Sequence, residues 1–184
     1  MTAVRRANLG RSAAPANRRA LLAAALEVFA EGGIDAPLSA VAKRAGVGQG
    51  SLYRHFPDRI SLALAVFEDN VAAMEALVAD PDCTLDDLLA DITTRTIDSV
   101  AFVDIVTAGP SDPRLDAVAD RVRAAIATAL RQAHQAGTVR RSVTADDVML
   151  AVGMVAALVG KTPATDRQRT ADGAWALLRQ GMRP

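Results

Sequence analysis

Residues 46–57 read Gly46-Val47-Gly48-Gln49-Gly50-Ser51-Leu52-Tyr53-Arg54-His55-Phe56-Pro57, and this stretch decides the architecture. Glycine at 46 permits the left-handed backbone that ends one helix, Val47 plugs the gap, Gly48 caps the next helix and Pro57 helps close it. Two short helices joined by a tight turn are therefore expected. In the second, Leu52 and Phe56 stand four residues apart and pack inward, which leaves Gln49, Ser51, Tyr53, Arg54 and His55 outside. Phosphates and base edges are the partners that such a set would bond.

Upstream, a first helix is expected from near Ala16 to Ala30, with Leu22, Leu26 and Phe29 on one face and Gly32-Gly33 as its stop. Pro37 suits the first turn of the helix that ends at Gly46, because its missing N–H would have had no partner there. Residues 1–15 hold Gly10, Pro15 and scattered arginines without periodicity, and read as a disordered basic arm. Downstream, Ile60, Leu64, Phe67, Val71, Met74 and Val78 recur at steps of four and three. That is a helical stripe. About 20 residues make a rod of roughly 30 Å, long enough to leave a small head at 16–62 and enter a body at 63–184.

The body reads as helices throughout. Asp80-Pro81-Asp82 breaks the long helix, and Thr84 or Asp82 caps the next, which carries Leu85, Leu89, Ile92 and Thr96. A shorter segment from Val100 to Thr107 reaches the Gly109-Pro110-Ser111-Asp112-Pro113 break. Then come a helix to Gln135 stopped by Gly137, another capped by Thr144, and a last one from about Asp166 to Gly181. The fold class is all-α, about nine helices, without strands or repeats.

Composition agrees. Apolar residues make up 51% and aromatics only 3%, so alanine, leucine and valine fill the interior. No apolar run approaches the roughly 20 residues of a bilayer span and the N-terminus lacks the apolar core of a signal peptide, which points to the cytoplasm. One cysteine, Cys83, allows neither an internal disulfide nor a cysteine zinc cage. The formal net charge of zero conceals a division: residues 1–59 carry nine Lys/Arg against four acids, and the remainder 12 against 17. A basic head on an acidic body places a polyanion at the head.

Residues 22–67 resemble the TetR family of repressors. The resemblance is carried by Phe29-Ala30-Glu31-Gly32-Gly33, Val41-Ala42-Lys43-Arg44-Ala45-Gly46-Val47, Gly50-Ser51-Leu52-Tyr53-Arg54-His55-Phe56 and Arg59. It implies a three-helix DNA-binding head joined by a long fourth helix to a helical ligand-binding and dimerisation bundle. The sequence departs from the family where hydroxyl residues often open the second and third helices: here stand Ala36-Pro37 and Gly48. Phosphate contacts there then fall to backbone N–H groups. Arg59 stands for the family's phosphate-binding lysine and keeps its charge.

The resemblance makes double-stranded DNA with a palindromic operator the expected partner. The interface set is Arg44, Gly48, Gln49, Gly50, Ser51, Tyr53, Arg54, His55 and Arg59. Arg54 is the first candidate for reading bases, since its planar fork fits guanine O6 and N7, and Gln49 the second. Ser51, Tyr53, His55, Arg59 and Arg44 are assigned to phosphate. One short helix reads too few bases, so a homodimer is expected. Its interface is placed on the last two helices, at Gly153, Ala157, Gly160, Trp175, Leu178 and Met182. A pocket for a small-molecule effector is placed among Met74, Ile92, Thr96, Phe102, Val106, Ile126 and Met149.

No catalytic, cofactor or metal site is expected. Ser51 and His55 share a face without an orienting acid, and His134 stands alone near a helix end. Asp86-Asp87 and Asp146-Asp147 fall in first helical turns, where acids stabilise the helix. The reading is a ligand-released repressor; a regulator or activator without an effector, and more remotely a helical-bundle enzyme, are the alternatives.

Overall fold

Leu21, Leu22, Ala25, Val28 and Phe29 recur at helical spacing and are all buried, which makes α1 (Ala14–Gly32) the floor of the N-terminal unit. The computed structural model describes residues 14–33, 35–100, 103 and 112–184. Most of the expected arm, together with Phe102, Val106 and Gly109-Pro110-Ser111, lies outside them. The described residues form two units divided after Leu62.

In the first unit α1 ends at Gly33, whose φ of 70° only glycine adopts without strain. Pro37 sits at the N-cap of α2 (Leu38–Arg44), one residue before the helix proper. Val41 and Ala42 bury the inner face of α2. The exit from α2 is a Schellman turn: the Val47 N–H donates to the Ala42 carbonyl at 3.0 Å and the Gly46 N–H to the Lys43 carbonyl at 3.2 Å, with Gly46 at φ 65°. Gly48 then caps α3 (Gln49–His55).

α4 (Arg59–Val78) spans the division. Its start is fixed by Asp58, whose carboxylate accepts from the Ser61 N–H at 2.6 Å while the Ser61 hydroxyl accepts from the Asp58 N–H at 3.2 Å. The expected stripe holds at Val71 and Met74, which are buried, but not before them. Leu62, Ala63, Ala65 and Val66 are the buried residues of the first half, and Ile60, Leu64 and Phe67 are only half-buried. At about 100° per residue, Leu62, Ala65 and Val66 lie on a different face of the helix from Ile60, Leu64 and Phe67, so the buried face changes along α4.

The second unit is built from the rest of α4 with α5 (Leu85–Asp98), α6 (Pro113–Gln135), α7 (Ala145–Gly160) and α8 (Arg167–Met182). Capping boxes start α5 and α7: Thr84 and Thr144 accept from the N–H groups of Asp87 and Asp147, whose carboxylates reach back to the threonine N–H. Asp112 caps α6 ahead of Pro113. A second Schellman turn closes α6, with Gly137 at φ 67° and the Thr138 N–H donating to the Ala133 carbonyl at 3.0 Å. A short 3-10 turn at Ala164–Asp166 leads into α8.

The core of this unit joins Leu88, Leu89, Ile126, Ala129, Val148, Val159 and Ala171, all fully buried. Among the described residues its one buried aromatic is Trp175, whose indole N–H donates to the buried Thr93 hydroxyl at 2.8 Å. Among the described residues there are eight α-helices and no strand. The further helix expected at Val100 to Thr107 lies mostly outside them. Among the described residues no helix is long and apolar enough to cross a membrane.

Candidate nucleic-acid interface

Leu52 and Phe56 are buried and seat α3 in the first unit. The Arg18 guanidinium lies 5.7 Å from the centre of the Phe56 ring, a second brace on that anchor. Because Leu52 and Phe56 take the inner face, Gln49, Gly50, Tyr53 and Arg54 are exposed, and Ser51 and His55 are half-buried at the margins. Tyr53 is 51% exposed, a large apolar ring left in water by a helix that has nothing in its own unit to cover it. Arg54 Nε donates to the Gly50 carbonyl at 3.1 Å. This fixes the stem along α3, and among the described residues no acceptor takes its Nη groups. The exposed set can therefore offer a phenol, an amide and a guanidinium fork to one ligand surface.

Two arginines of the expected interface have protein partners. Arg44 gives Nη1 to Glu27 at 2.9 Å and Nη2 to Glu31 at 2.8 Å. Glu27 and Glu31 are four apart on α1, so they share the face beside the last turn of α2. Hydrogen bonding to Arg44 holds the Glu31 carboxyl below its ordinary range, and Glu31 and Glu27 push the Arg44 guanidinium above its own. Arg44 thus clamps α2 to α1 while its side chain stays 40% exposed. Arg59 lies 5.6 Å from the centre of the Phe29 ring and donates to the Asp35 carbonyl at 3.3 Å, which ties the start of α4 to the α1–α2 turn. Glu27 and Glu31 carried a readable signal in their spacing; the Arg18–Phe56 contact had none, being formed across most of the unit's sequence.

Residues 21–66 match the family described as bacterial regulatory proteins, tetR family. Residues 80–184, more than half of the chain, match the C-terminal domain of SbtR-like transcriptional regulators. The chain belongs to the TetR family of transcriptional regulators. Its members are DNA-binding transcription factors and not enzymes. A TetR transcriptional regulator from Streptomyces coelicolor is 29% identical, with 91% of this chain and 98% of that one covered and a TM-score of 0.65. A TetR regulatory protein from Mycobacterium vanbaalenii is 26% identical over 95% and 99%, with a TM-score of 0.64. CprB from Streptomyces coelicolor, solved in complex with its biological operator sequence, is 25% identical over 94% and 90%, also with a TM-score of 0.64. No curated protein sequence matches.

The TetR-type body distributes its expected residues unevenly. Met74, Ile92 and Ile126 are packed into the core, with Met149 half-buried against it, and the half-buried Thr96 turns its hydroxyl back to the Ile92 carbonyl at 2.8 Å. On the last two helices Gly153 and Ala157 are exposed and Gly160 is half-buried. Trp175 is 4% exposed and points into the core, with Leu178 and Met182 packed against the same cluster. An apolar face read from sequence does not say which neighbour it faces. The outward apolar surface of these helices is instead Leu150, Met154 and Leu158 on α7, 64%, 48% and 44% exposed, and Leu177 on α8, 72% exposed.

Proposed function

We propose that this TetR-family chain is a repressor that binds a palindromic operator as a homodimer and leaves it when a small molecule occupies the body. The observation that carries the reading is the exposed set on α3: Tyr53 and Arg54 stand out from a helix held by Leu52 and Phe56. Arg54 and Gln49 read base edges in the major groove; Ser51, Tyr53, His55 and Arg59 hold phosphates. Support comes from CprB, whose complex is with its operator. The operator is cytoplasmic DNA, which sets the location.

Pairing follows from α7. Leu150, Met154 and Leu158 recur every fourth residue, so they line one face of the helix. Three large aliphatic side chains left in water in a row are what a two-fold, self-complementary interface covers. A dimer places two α3 helices in successive major grooves, roughly 34–36 Å apart or modestly more. A ligand that prefers the DNA-free state by about 1–3 kcal/mol lowers operator affinity roughly 5- to 150-fold. α4 contributes residues to both units, so it is the element through which that preference is passed.

A reporter gene with the operator across its promoter tests the sign. The chain lowers transcription, and Arg54→Ala restores it. A rise in transcription with the chain present overturns the repressor reading while leaving DNA binding in place.

A further inference from the structure

Arg44 is the last residue of α2, and its fork is spread over two acids of α1. Nη1 donates to Glu27 Oε2 at 2.9 Å and to Glu31 Oε1 at 3.2 Å, and Nη2 donates to Glu31 Oε2 at 2.8 Å. The grip on Glu31 is two-pronged, which fixes the plane of the guanidinium as well as its place. Glu27 lies one turn before Glu31, so the end of α2 is held across a full turn of α1.

Folding stability gains little from this clamp. The side chains of Arg44, Glu27 and Glu31 are 40%, 59% and 65% exposed, and ion pairs open to water contribute little. Nor does the group draw in phosphate. One guanidinium against two carboxylates leaves an excess of one negative charge, which repels a polyanion.

Its place in the chain gives it another consequence. α2 is seven residues long and buries only Val41 and Ala42, two small side chains that leave its direction weakly held. The turn beyond Arg44 hangs from the same segment, since the Val47 and Gly46 N–H groups donate to the Ala42 and Lys43 carbonyls. At the start of α3 the Gly48 carbonyl accepts from the Ser51 and Leu52 N–H groups at 2.8 and 3.1 Å. A tilt of α2 is therefore carried through a few backbone bonds to Arg54. A guanidinium fork meets guanine O6 and N7 only within a narrow range of angles.

We propose that Arg44 is a positioning residue for DNA recognition: by gripping Glu27 and Glu31 it fixes the end of α2 and so sets the angle at which α3 presents Arg54 and Gln49 to base edges. This rests on the reading of α3 as the base-reading helix. Arg44 serves discrimination between sequences more than attraction to the DNA backbone, and the two acids serve it with Arg44.

The test reads a ratio: the affinity for the palindrome that the wild type selects from randomised duplex DNA, over that for a scrambled duplex of the same length. A phosphate contact carries no sequence information, so its loss weakens both duplexes alike and leaves the ratio unchanged. A contact that only stabilises the fold lowers the melting temperature and leaves both affinities of the folded chain. Arg44→Gln is expected to lower the ratio roughly threefold, less than the loss of a whole bidentate base contact. Glu27→Gln/Glu31→Gln lowers it as much, although the scrambled duplex binds no more weakly once two negative charges are gone. Arg44→Lys keeps the affinity for the scrambled duplex and still loses the ratio, since an ammonium cannot take both carboxylates in one planar fork. Melting curves show that all three variants are folded at the assay temperature. An unchanged ratio in Arg44→Gln and in Glu27→Gln/Glu31→Gln, with the wild type still discriminating, overturns the role of Arg44 and leaves α3 as the reader; a wild type that selects no sequence overturns both.

Discussion

The hydroxyl of Thr93 holds two partners at once: it donates to the Leu89 carbonyl at 2.7 Å and accepts the indole N–H of Trp175. Both residues are buried, so removing either end strands the other away from water. Trp175→Phe is expected to destabilise the chain by about 1–3 kcal/mol for the stranded acceptor, with a further loss from the smaller ring. Thr93→Val strands the N–H instead. In urea unfolding the double variant loses less than the two single losses added together, because the stranded group is then absent. At the opposite, exposed extreme, Tyr53→Phe removes a hydroxyl that touches nothing in its own unit. Stability is unchanged, and DNA affinity falls alike for all sequences; a changed sequence preference would transfer Tyr53 from phosphate to base reading.

At the scale of elements, helix ends were more legible than helix faces. Thr144 as a cap and Gly46 and Gly137 as stops follow from local chemistry that few neighbours can override: a hydroxyl beside free N–H groups, and a backbone angle open to glycine. Trp175 and the first half of α4 were misread because periodicity shows that a face is apolar and leaves open what covers it. The caps carry a pH signature. Hydrogen bonds from Thr84 hold the Asp87 carboxyl below its ordinary range, and the Thr144 N–H and hydroxyl do the same for Asp147. Their folded pKa values lie below the unfolded ones, so the stability they add is present above the ordinary carboxylate range and is lost as the pH falls through the folded values. Thr144→Ala is expected to cost about 0.5–2 kcal/mol at neutral pH. A thermal melt series from neutral to strongly acid pH should show a shallower acid decline in Thr84→Ala/Thr144→Ala than in the wild type; an identical decline would place the acid sensitivity elsewhere.

At the scale of the molecule, the DNA-binding head was readable because a short stretch combined a turn, a cap and two anchors at fixed spacing. The body was readable only as helices, since Ala- and Val-rich faces suit core, pocket and interface alike. Dimerisation is expected to rest on Leu150, Met154, Leu158 and Leu177. A charge set among them, as in Leu158→Glu, should halve the mass seen by light scattering and weaken operator binding without lowering the melting temperature of the monomer's own core. The central claim is sequence-specific recognition of DNA through α3, and selection of bound sequences from randomised duplex DNA tests it most directly. A palindrome enriched by the wild type, with its preference relaxed in Arg54→Ala, is the predicted result; the absence of any enriched sequence at every salt concentration would contradict it.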